Sequence, residues 1–363
     1  MSQTKNYPPV SYSDYLKTGK LLELQSPRSL EFGKEAHEEL LFIIVHQTYE
    51  LWFRQILHEI NSILGIFNQS VVREEEMITV VSRLSRIVEI QRLLVDQVSV
   101  LETMTPLDFL EFRDMLYPAS GFQSVQWRLI ENKLGLRPKS RLKYNAQPYH
   151  AHVNPEEQKL LLESENAPSL FDQVDAWLSR MPFLGAKDFN FASEYATAVK
   201  DMLDADEANV RRFAKGDEDL QRNLKSIEDT RAVFSSLLSE EKYKTLVEAG
   251  TFRLQHRSIQ AALFILLYRD QPIFGLPFQL LTRLQDVDEL MTTWRYRHAL
   301  MAHRMLGTKI GTGGSSGHQY LKAATDQHRV FGDFFNLTMF LIPRSRLPKL
   351  PDSVSKRLGF HCP

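Results

Sequence analysis

Apolar residues recur every three or four positions along nearly the whole chain, and this spacing constrains the fold more than any other feature. Runs in which apolar and polar residues alternate, as half-buried strands require, are hard to find. The spacing predicts two long helices, from about residue 35 to 67 and from about residue 73 to 101. Helices of such length favour packing as a bundle. The predicted fold class is therefore all-α.

The composition is that of a globular protein, since 363 residues of which 43% are hydrophobic can bury a large core. Lys and Arg number 44 against 45 Asp and Glu, so no summed positive field favours nucleic acid or an anionic membrane surface. The longest apolar stretches are too short to span a bilayer, and residues 1–10 lack the apolar region of a signal peptide. The single cysteine, Cys362, suits a reducing compartment. We expect a cytoplasmic protein with neither nucleic-acid nor membrane partners.

The helical pattern divides the chain into parts. Residues 1–10 are polar with two prolines and are expected to form a disordered arm. Residues 11–136 and 251–343 carry the strongest apolar pattern and predict one bundle-like main domain. Charge rises over residues 137–250, which predicts a smaller helical subdomain, and the proline-rich, basic tail 344–363 is predicted to be irregular.

The segment TPLD at 105–108 has the cap, first-turn proline and acid that begin a helix, here a short one ending before Pro118. On such a helix Phe109 and Arg113 would share one face, a turn apart. An arginine beside an aromatic ring can clamp a carboxylate while the ring packs on an apolar ligand. A surface ion pair of Arg113 with a neighbouring acid is an equally good interpretation.

Histidines stand among apolar and aromatic residues in two helical segments. His46 follows Phe42 by one turn and could bond a ligand N–H or act as a base, although a core histidine bonded to a carbonyl is commoner. His298 and His303 are five positions apart and cannot bind one metal ion as an i, i+4 pair, and no HExxH is present. A single axial ligand to haem is an alternative to an ordinary buried histidine.

The segment GTGGSSG at 311–317 follows a helical segment directly, and its four glycines leave backbone N–H groups to point at a small anionic ligand. The phosphate-binding pattern GxxxxGK[ST] is absent, and no strand precedes the segment. A flexible linker is the alternative to a loop that closes on a ligand. Tyr12 and Tyr15, one turn apart, are candidates for contacts beyond simple amphipathic packing.

Five segments resemble, in order, the tryptophan 2,3-dioxygenase family. They are YSDYLKTGKLLELQ, HEELLFIIVHQTYELWFRQILHEI, SVLETMTPLDFLEFRDMLYPASGFQS, WRYRHALMAHRMLGTKIGTGGSSG and FFNLTMFLIPR. Together they extend from about Tyr12 to Arg344. The stretch from about 140 to 250 carries the resemblance less strongly, and its length is closer to the animal members than to the shorter bacterial ones.

The resemblance implies haem b, with Fe²⁺ in the active form, and the addition of both atoms of O2 across the indole C2–C3 bond of L-tryptophan. The product would be N-formylkynurenine, and the reaction would be the first step of tryptophan breakdown by the kynurenine pathway. The resemblance makes His298 the proximal iron ligand and His46 the catalytic distal residue, which accepts a hydrogen bond from the indole N–H. Arg113 would pair with the carboxylate of the substrate, and Thr312 would contact the charged end of the amino acid. The resemblance also implies contacts to the substrate from Phe42, Phe109, Leu116 and Ser120. It implies contacts to the cofactor from Trp294 and Gly121.

The resemblance also implies a homotetramer in which Tyr12 and Tyr15 of each chain reach into the pocket of a neighbouring subunit. Two other interpretations remain open. A non-catalytic helical scaffold with histidines in its core would be colourless when purified. A haem protein that oxidises another indole would turn over tryptamine or indole better than L-tryptophan.

Overall fold

The computed structural model describes residues 7–142, 148–186, 189–307, 323, 325 and 327–359. Nearly all regular structure in these residues is helical, which confirms the predicted all-α class. The strands found among them are β1 (Gly185–Ala186) and β2 (Phe189–Asn190), which form a short antiparallel pair. In the same residues no helix is both long and apolar enough to cross a membrane.

The α-helices of the described residues vary from single turns to more than thirty residues. In chain order they are α1 (Tyr12–Leu16), α2 (Thr18–Leu22), α3 (Arg28–Glu31), α4 (His37–Phe67), α5 (Glu74–Leu101), α6 (Pro106–Leu110), α7 (Val125–Leu134), α8 (Pro155–Asn166), α9 (Leu170–Ser179), α10 (Phe191–Phe213), α11 (Asp217–Leu238), α12 (Glu240–Glu248), α13 (His256–Leu267), α14 (Gly275–Leu306), α15 (Gly332–Asn336) and α16 (Asp352–Leu358).

Three long helices, α4, α5 and α14, form the frame of the molecule, with 31, 28 and 32 residues. Both α4 and α14 pack along α5, and α7 and α9 cover another side of α4. Fully buried residues such as Ile60, Leu84 and Leu284 fill the main core between them. Such lengths span about 40–50 Å, so one pair of helices can support both the core and a separate pocket.

A second, smaller apolar cluster lies where α4, α5 and α14 come together near residues 45, 98 and 301. Its buried members are Val45, Val98, Leu101, Met104, Phe112, Met301 and Met305. Phe42, Phe109, Leu116 and Trp294 pack against it, half-buried. Four residues that the family resemblance predicts to contact the substrate or the cofactor therefore pack on one cluster, which Tyr49 and Trp294 connect to the main core.

The predicted short helix before Pro118 is wrong in its second half. Helix α6 ends at Leu110, and a separate 3₁₀ turn covers Arg113–Leu116. Between them Phe112 has φ −124° and ψ −12° and its side chain is 0% exposed in the smaller cluster. Burial of this ring requires the chain to leave the helix, so Phe109 and Arg113 do not share one continuous helical face.

The tail also differs from the irregular chain that its composition predicted. Helix α16 occupies Asp352–Leu358 and buries Val354 and Leu358 against the main core. Pro351 directly before the helix is compatible with a helix start, and Lys356 and Arg357 lie in its last turn, where they stabilise the negative end of the dipole. Two apolar side chains four positions apart were a weak signal beside the surrounding prolines.

Candidate active site

The distal part of the candidate site is built on α4. The His46 ring lies 4.1 Å from the Phe42 ring, and the rings of Phe109 and Phe112 lie 5.7 and 5.5 Å from Phe42. His46 Nδ1 is 2.7 Å from the Phe42 carbonyl oxygen. Since a carbonyl can only accept, Nδ1 carries the proton and Nε2 is left as an acceptor. The local helix geometry thus presents a hydrogen-bond acceptor beside three aromatic rings.

Two properties of His46 determine its protonation state. Its surface is open to solvent, and yet protein surrounds it closely enough for loss of hydration to lower its pKa below 6.5. The bond to the Phe42 carbonyl and the charge of Glu50 oppose this lowering without reversing it. The imidazole is therefore neutral near pH 7, as a hydrogen-bond acceptor must be.

The proximal part of the site is built on α14. The His298 ring stacks on that of Trp294, with centroids 5.4 Å apart and planes 2° from parallel. Trp294 is in turn 4.6 Å from the Trp127 ring and 6.0 Å from the Tyr49 ring. Burial, assisted by the charge of nearby His46, lowers the pKa of His298 to about 4. A neutral imidazole is the form that binds a metal ion.

The chemistry of these groups fits a haem held by one histidine. His298 Nδ1 is buried and has no hydrogen-bond partner among the described residues, so the stack on Trp294 holds the ring while this polar atom is left unsatisfied. Within the described ranges no three His, Cys, Asp or Glu side chains come together as a metal site. A Cβ added to Gly121 would meet no atom within 4 Å, so space beside this residue is open.

The remaining predicted residues lie on the segment that follows α6. The Arg113 side chain is 15% exposed, and its Nη1 is 3.4 Å from the carboxylate of Asp114, which is 90% exposed. Ser120 caps the 3₁₀ turn Gly121–Gln123 by accepting a hydrogen bond of 3.4 Å from Phe122 N. Leu116 packs on the smaller cluster.

Two of the predicted residues, Tyr12 and Tyr15, are not brought to the site within this chain. Tyr12 and Tyr15 are 75% and 74% exposed on α1, which buries none of its residues in the described part of the chain. Thr312, with the whole segment 311–317, lies outside the described residues. A groove of about 570 Å³ elsewhere, along the outer face of α8, is lined by one helix and its flanks and carries no group suited to this chemistry.

Three residues of the site escaped prediction as members of it. Phe112 and Trp127 supply rings that pack on Phe42 and Trp294. Glu50 lies one turn after His46 and bonds the residues that begin α7. The i, i+4 spacing of His46 and Glu50 was visible in the sequence, whereas the contact of Trp127 with Trp294 joins residues too distant for any local pattern.

Fold and site together define an all-α protein in which two imidazoles of lowered pKa, one on α4 and one on α14, lie beside aromatic rings. The family model for tryptophan 2,3-dioxygenase matches residues 3–341. A tryptophan 2,3-dioxygenase of Bdellovibrio bacteriovorus is 55% identical over 98% of this chain and 99% of its own length. Those of Dictyostelium discoideum and Xenopus laevis are 46% and 44% identical, over 97% and 96% of this chain and 88% and 86% of theirs. The chain therefore belongs to the tryptophan 2,3-dioxygenase family.

Proposed function

We propose that this site oxidises L-tryptophan with O2 to N-formylkynurenine, with haem as the cofactor. The observation that carries the proposal is the buried Nδ1 of His298, which has no hydrogen-bond partner among the described residues although the ring is held against Trp294. Bound haem supplies ferrous iron that activates O2. Both oxygen atoms enter the product, so the reaction requires no external reductant.

His298 is proposed as the residue that would hold the haem iron. Its low pKa keeps the ring unprotonated over the physiological range, and the parallel ring of Trp294 limits its rotation. Trp294 and Gly121 are proposed to contact the cofactor, the first through this stack and the second through the open space beside it. Helix α14 thus fixes the ligand through packing, without a hydrogen bond to Nδ1 from the described residues.

His46 is proposed to orient the substrate. With its proton on Nδ1, the ring accepts the indole N–H at Nε2 and holds the indole edge at a fixed position. Phe42, Phe109 and Leu116, which share the smaller apolar cluster, would pack on the indole and exclude water. His46 need not remove the indole proton, because attack on C2–C3 does not require prior loss of the N–H.

Recognition of the amino acid's charged groups is proposed for Arg113, Ser120 and Thr312. A half-buried guanidinium forms stronger, two-point hydrogen bonds to a carboxylate than a fully exposed one. Loss of a hydrogen bond to a charged group costs about 1.5–3 kcal/mol, which is about 10- to 150-fold in an equilibrium constant. The pocket would therefore prefer the complete amino acid to a bare indole.

The first test is an absorption spectrum of the purified protein with and without L-tryptophan under O2, followed by identification of the product. A Soret band and N-formylkynurenine are expected. Colourless protein would favour the scaffold interpretation, and faster turnover of tryptamine or indole would favour a different indole oxidase.

The axial ligand is tested by His298→Ala, with His303→Ala on the same helix as the matched control. We expect purified H298A to lose its haem absorbance and H303A to retain it. A normal Soret band in H298A, at the wild-type ratio of haem to protein, would contradict the assignment.

The carboxylate clamp is tested by Arg113→Ala with two substrates. The Michaelis constant for L-tryptophan should rise by about 10- to 150-fold, whereas that for tryptamine, which has no carboxylate, should change little. Equal effects on both substrates would show that Arg113 acts on the pocket as a whole and not on the carboxylate.

Homotetrameric assembly is proposed for the chain, with the N-terminal segment reaching into a neighbour. Tyr12 and Tyr15 are almost fully exposed, and Leu40, Ile44 and Leu51 of α4 are also exposed apolar side chains. Apolar surface of this kind marks protein contacts. Deleting residues 1–16 should abolish most activity while the smaller apolar cluster stays folded, and a fully active truncated enzyme would refute the intersubunit role.

Two broader proposals remain. A cytoplasmic location is proposed because one cysteine in 363 residues suits a reducing compartment, and cell fractionation tests it. Residues 137–250 are proposed as an accessory helical part beside the main domain at 11–136 and 251–343. The pairing of α10 with α11 supports this division, and early proteolytic cleavage near Gly216, between the two helices, would be expected.

A further inference from the structure

Glu50 makes a set of contacts for which the proposed reaction gives no reason. It lies on α4, one turn after His46, and is half-buried. Its Oε1 accepts a hydrogen bond of 2.6 Å from Ser124 Oγ, and its Oε2 accepts one of 2.8 Å from Gln126 Nε2. The same Gln126 amide donates to the backbone carbonyl of Glu50 at 2.8 Å. One residue of α4 thus holds the start of α7 through three hydrogen bonds.

The hydroxyl that Glu50 binds is also the N-cap of α7. Ser124 Oγ accepts from Trp127 N at 3.3 Å, in the first turn of that helix. The Trp127 ring packs 5.2 Å from Phe53 of α4 and 4.6 Å from Trp294. Trp294 in turn stacks on His298. A continuous series of contacts therefore connects α4, which carries His46, to the His298 ring.

The same capping residue ends the turn that borders the pocket. Ser124 N donates to the Gly121 carbonyl at 3.2 Å, closing the 3₁₀ turn Gly121–Gln123. Ser120, which caps that turn, and Gly121 are both residues expected at the pocket wall. The position of Ser124 therefore fixes this wall and the Trp127 side chain together.

We propose that Glu50 is a positioning residue, which ties the 120–124 turn and α7 to α4 and thereby sets the width of the pocket between His46 and the Trp294–His298 stack. The inference rests on the proposed haem function, since pocket width is defined by the group it holds. Glu50 itself contacts neither histidine by a hydrogen bond in the described chain. Its effect on the cofactor passes through Ser124 and Trp127.

The chain offers a matched control on the same helix. Glu59 of α4 is 3% exposed and its Oε1 accepts hydrogen bonds of 2.7 Å from Gln55 Nε2 and 2.8 Å from Arg86 Nη1. The bond from Arg86 joins α4 to α5 beside the main core, and the bond from Gln55 lies within α4. Removal of a carboxylate with only a structural role, such as that of Glu59, should therefore lower the melting temperature and leave haem binding unchanged.

The experiment compares the haem-loaded wild type with Glu50→Ala, Glu50→Gln, Ser124→Ala and Glu59→Ala. The rate of haem transfer to excess apomyoglobin and the melting temperature are measured for each protein. E50A and S124A should release haem at least about tenfold faster than the wild type, the factor that corresponds to about 1.4 kcal/mol. E59A should stay within about twofold of the wild type, even where its melting temperature falls further than that of E50A.

E50Q and a double variant make the interpretation specific. Glutamine can still accept from Ser124 Oγ, so E50Q should retain haem better than E50A. E50A/S124A should release haem no faster than the faster single variant, because both changes break one connection. If E50A does not fold, E50Q and S124A carry the comparison.

Wild-type haem release from E50A and S124A, or release from E59A as fast as from E50A, would overturn the positioning role. A wild-type protein that binds no haem at all would instead overturn the proposed function. The two failures are therefore distinguishable from the first measurement.

Discussion

Replacing Glu131 by glutamine should destabilise the protein strongly, because this residue is the centre of a buried ionic cluster. Its side chain on α7 is 1% exposed. Its Oε2 accepts hydrogen bonds of 2.9 Å from Arg128 Nη1 and 2.7 Å from Arg141 Nη1, and its Oε1 accepts one of 2.9 Å from Arg295 Nη2. Burial alone raises the pKa of Glu131, but the three guanidinium charges outweigh it and hold that pKa well below 4.5.

The size of the effect follows from the charges that would remain. Glu131→Gln keeps the shape of the side chain and removes its charge, leaving three guanidiniums that are 8%, 5% and 5% exposed without their shared anion. Breaking a buried pair in this way costs about 3–5 kcal/mol. An unfolding entropy of about 2.1 cal/mol/K per residue gives about 0.76 kcal/mol/K for the whole chain. The melting temperature should therefore fall by about 4–7 °C.

Differential scanning calorimetry measures this change, with Glu163→Gln as the control. Glu163 on α8 is 63% exposed and lies 3.9 Å from Lys159, so its loss should cost less than about 0.5 kcal/mol. Because Arg295 precedes His298 by three residues on α14, E131Q should also bind haem less completely. A melting temperature of E131Q within about 1 °C of the wild type and the control would refute the reasoning.

Two further substitutions test other features of the fold. Burial lowers the pKa of His328 from 6.5 to about 4, so the neutral ring's contribution to stability is present above pH 6.5 and is lost as the pH falls towards 4. In denaturant titrations, His328→Gln should remove about 3 kcal/mol of the decrease in the free energy of unfolding between pH 6.5 and pH 4. A decrease as large as that of the wild type would contradict this. Gly135→Ala should cost about 2–5 kcal/mol, because φ is +116° and a Cβ would lie 2.7 Å from Ser169 Oγ and 2.8 Å from Phe171 Cβ. Gly250→Ala, where φ is +78° and the surrounding space is open, should cost only about 1–2 kcal/mol. Equal costs for the two substitutions would show that Ser169 and Phe171 move away from the new Cβ with little loss of stability.

The features that the sequence predicted well depend on residues close together in the chain. Helix α4 begins at His37 and α5 at Glu74, near the predicted residues 35 and 73, and both end where predicted. The cap predicted at 105–108 is confirmed as well, since Thr105 Oγ1 accepts from Asp108 N at 3.3 Å and the Asp108 carboxylate accepts from Thr105 N at 3.0 Å. These signals need only apolar spacing and side chains three positions apart.

The features that the sequence did not predict depend on partners far away in the chain. Residue spacing cannot show that Glu50 meets Ser124, 74 positions later, or that Arg295 meets Glu131 across 164 positions. The break at Phe112 has the same origin, because the ring leaves the local helix to fill a cluster contributed by α4, α5 and α14. Local pattern and family resemblance named the candidate site residues, and only the fold shows the contacts that hold them.

The two histidines are held at a fixed separation by a helix that contributes neither of them. Both α4 and α14 pack on α5, where Val98 and Leu101 lie in the smaller cluster beside the pocket. Polar contacts reinforce the packing on each side: Tyr49 Oη donates to the Leu94 carbonyl at 2.8 Å, and Arg297 Nη2 donates to Glu102 at 3.1 Å. Because apolar packing is specific in shape and close to incompressible, a change in α5 must move α4 and α14 together or leave a cavity. The positions of His46 and His298 relative to each other therefore depend on α5, and mutations in this helix should alter the candidate site.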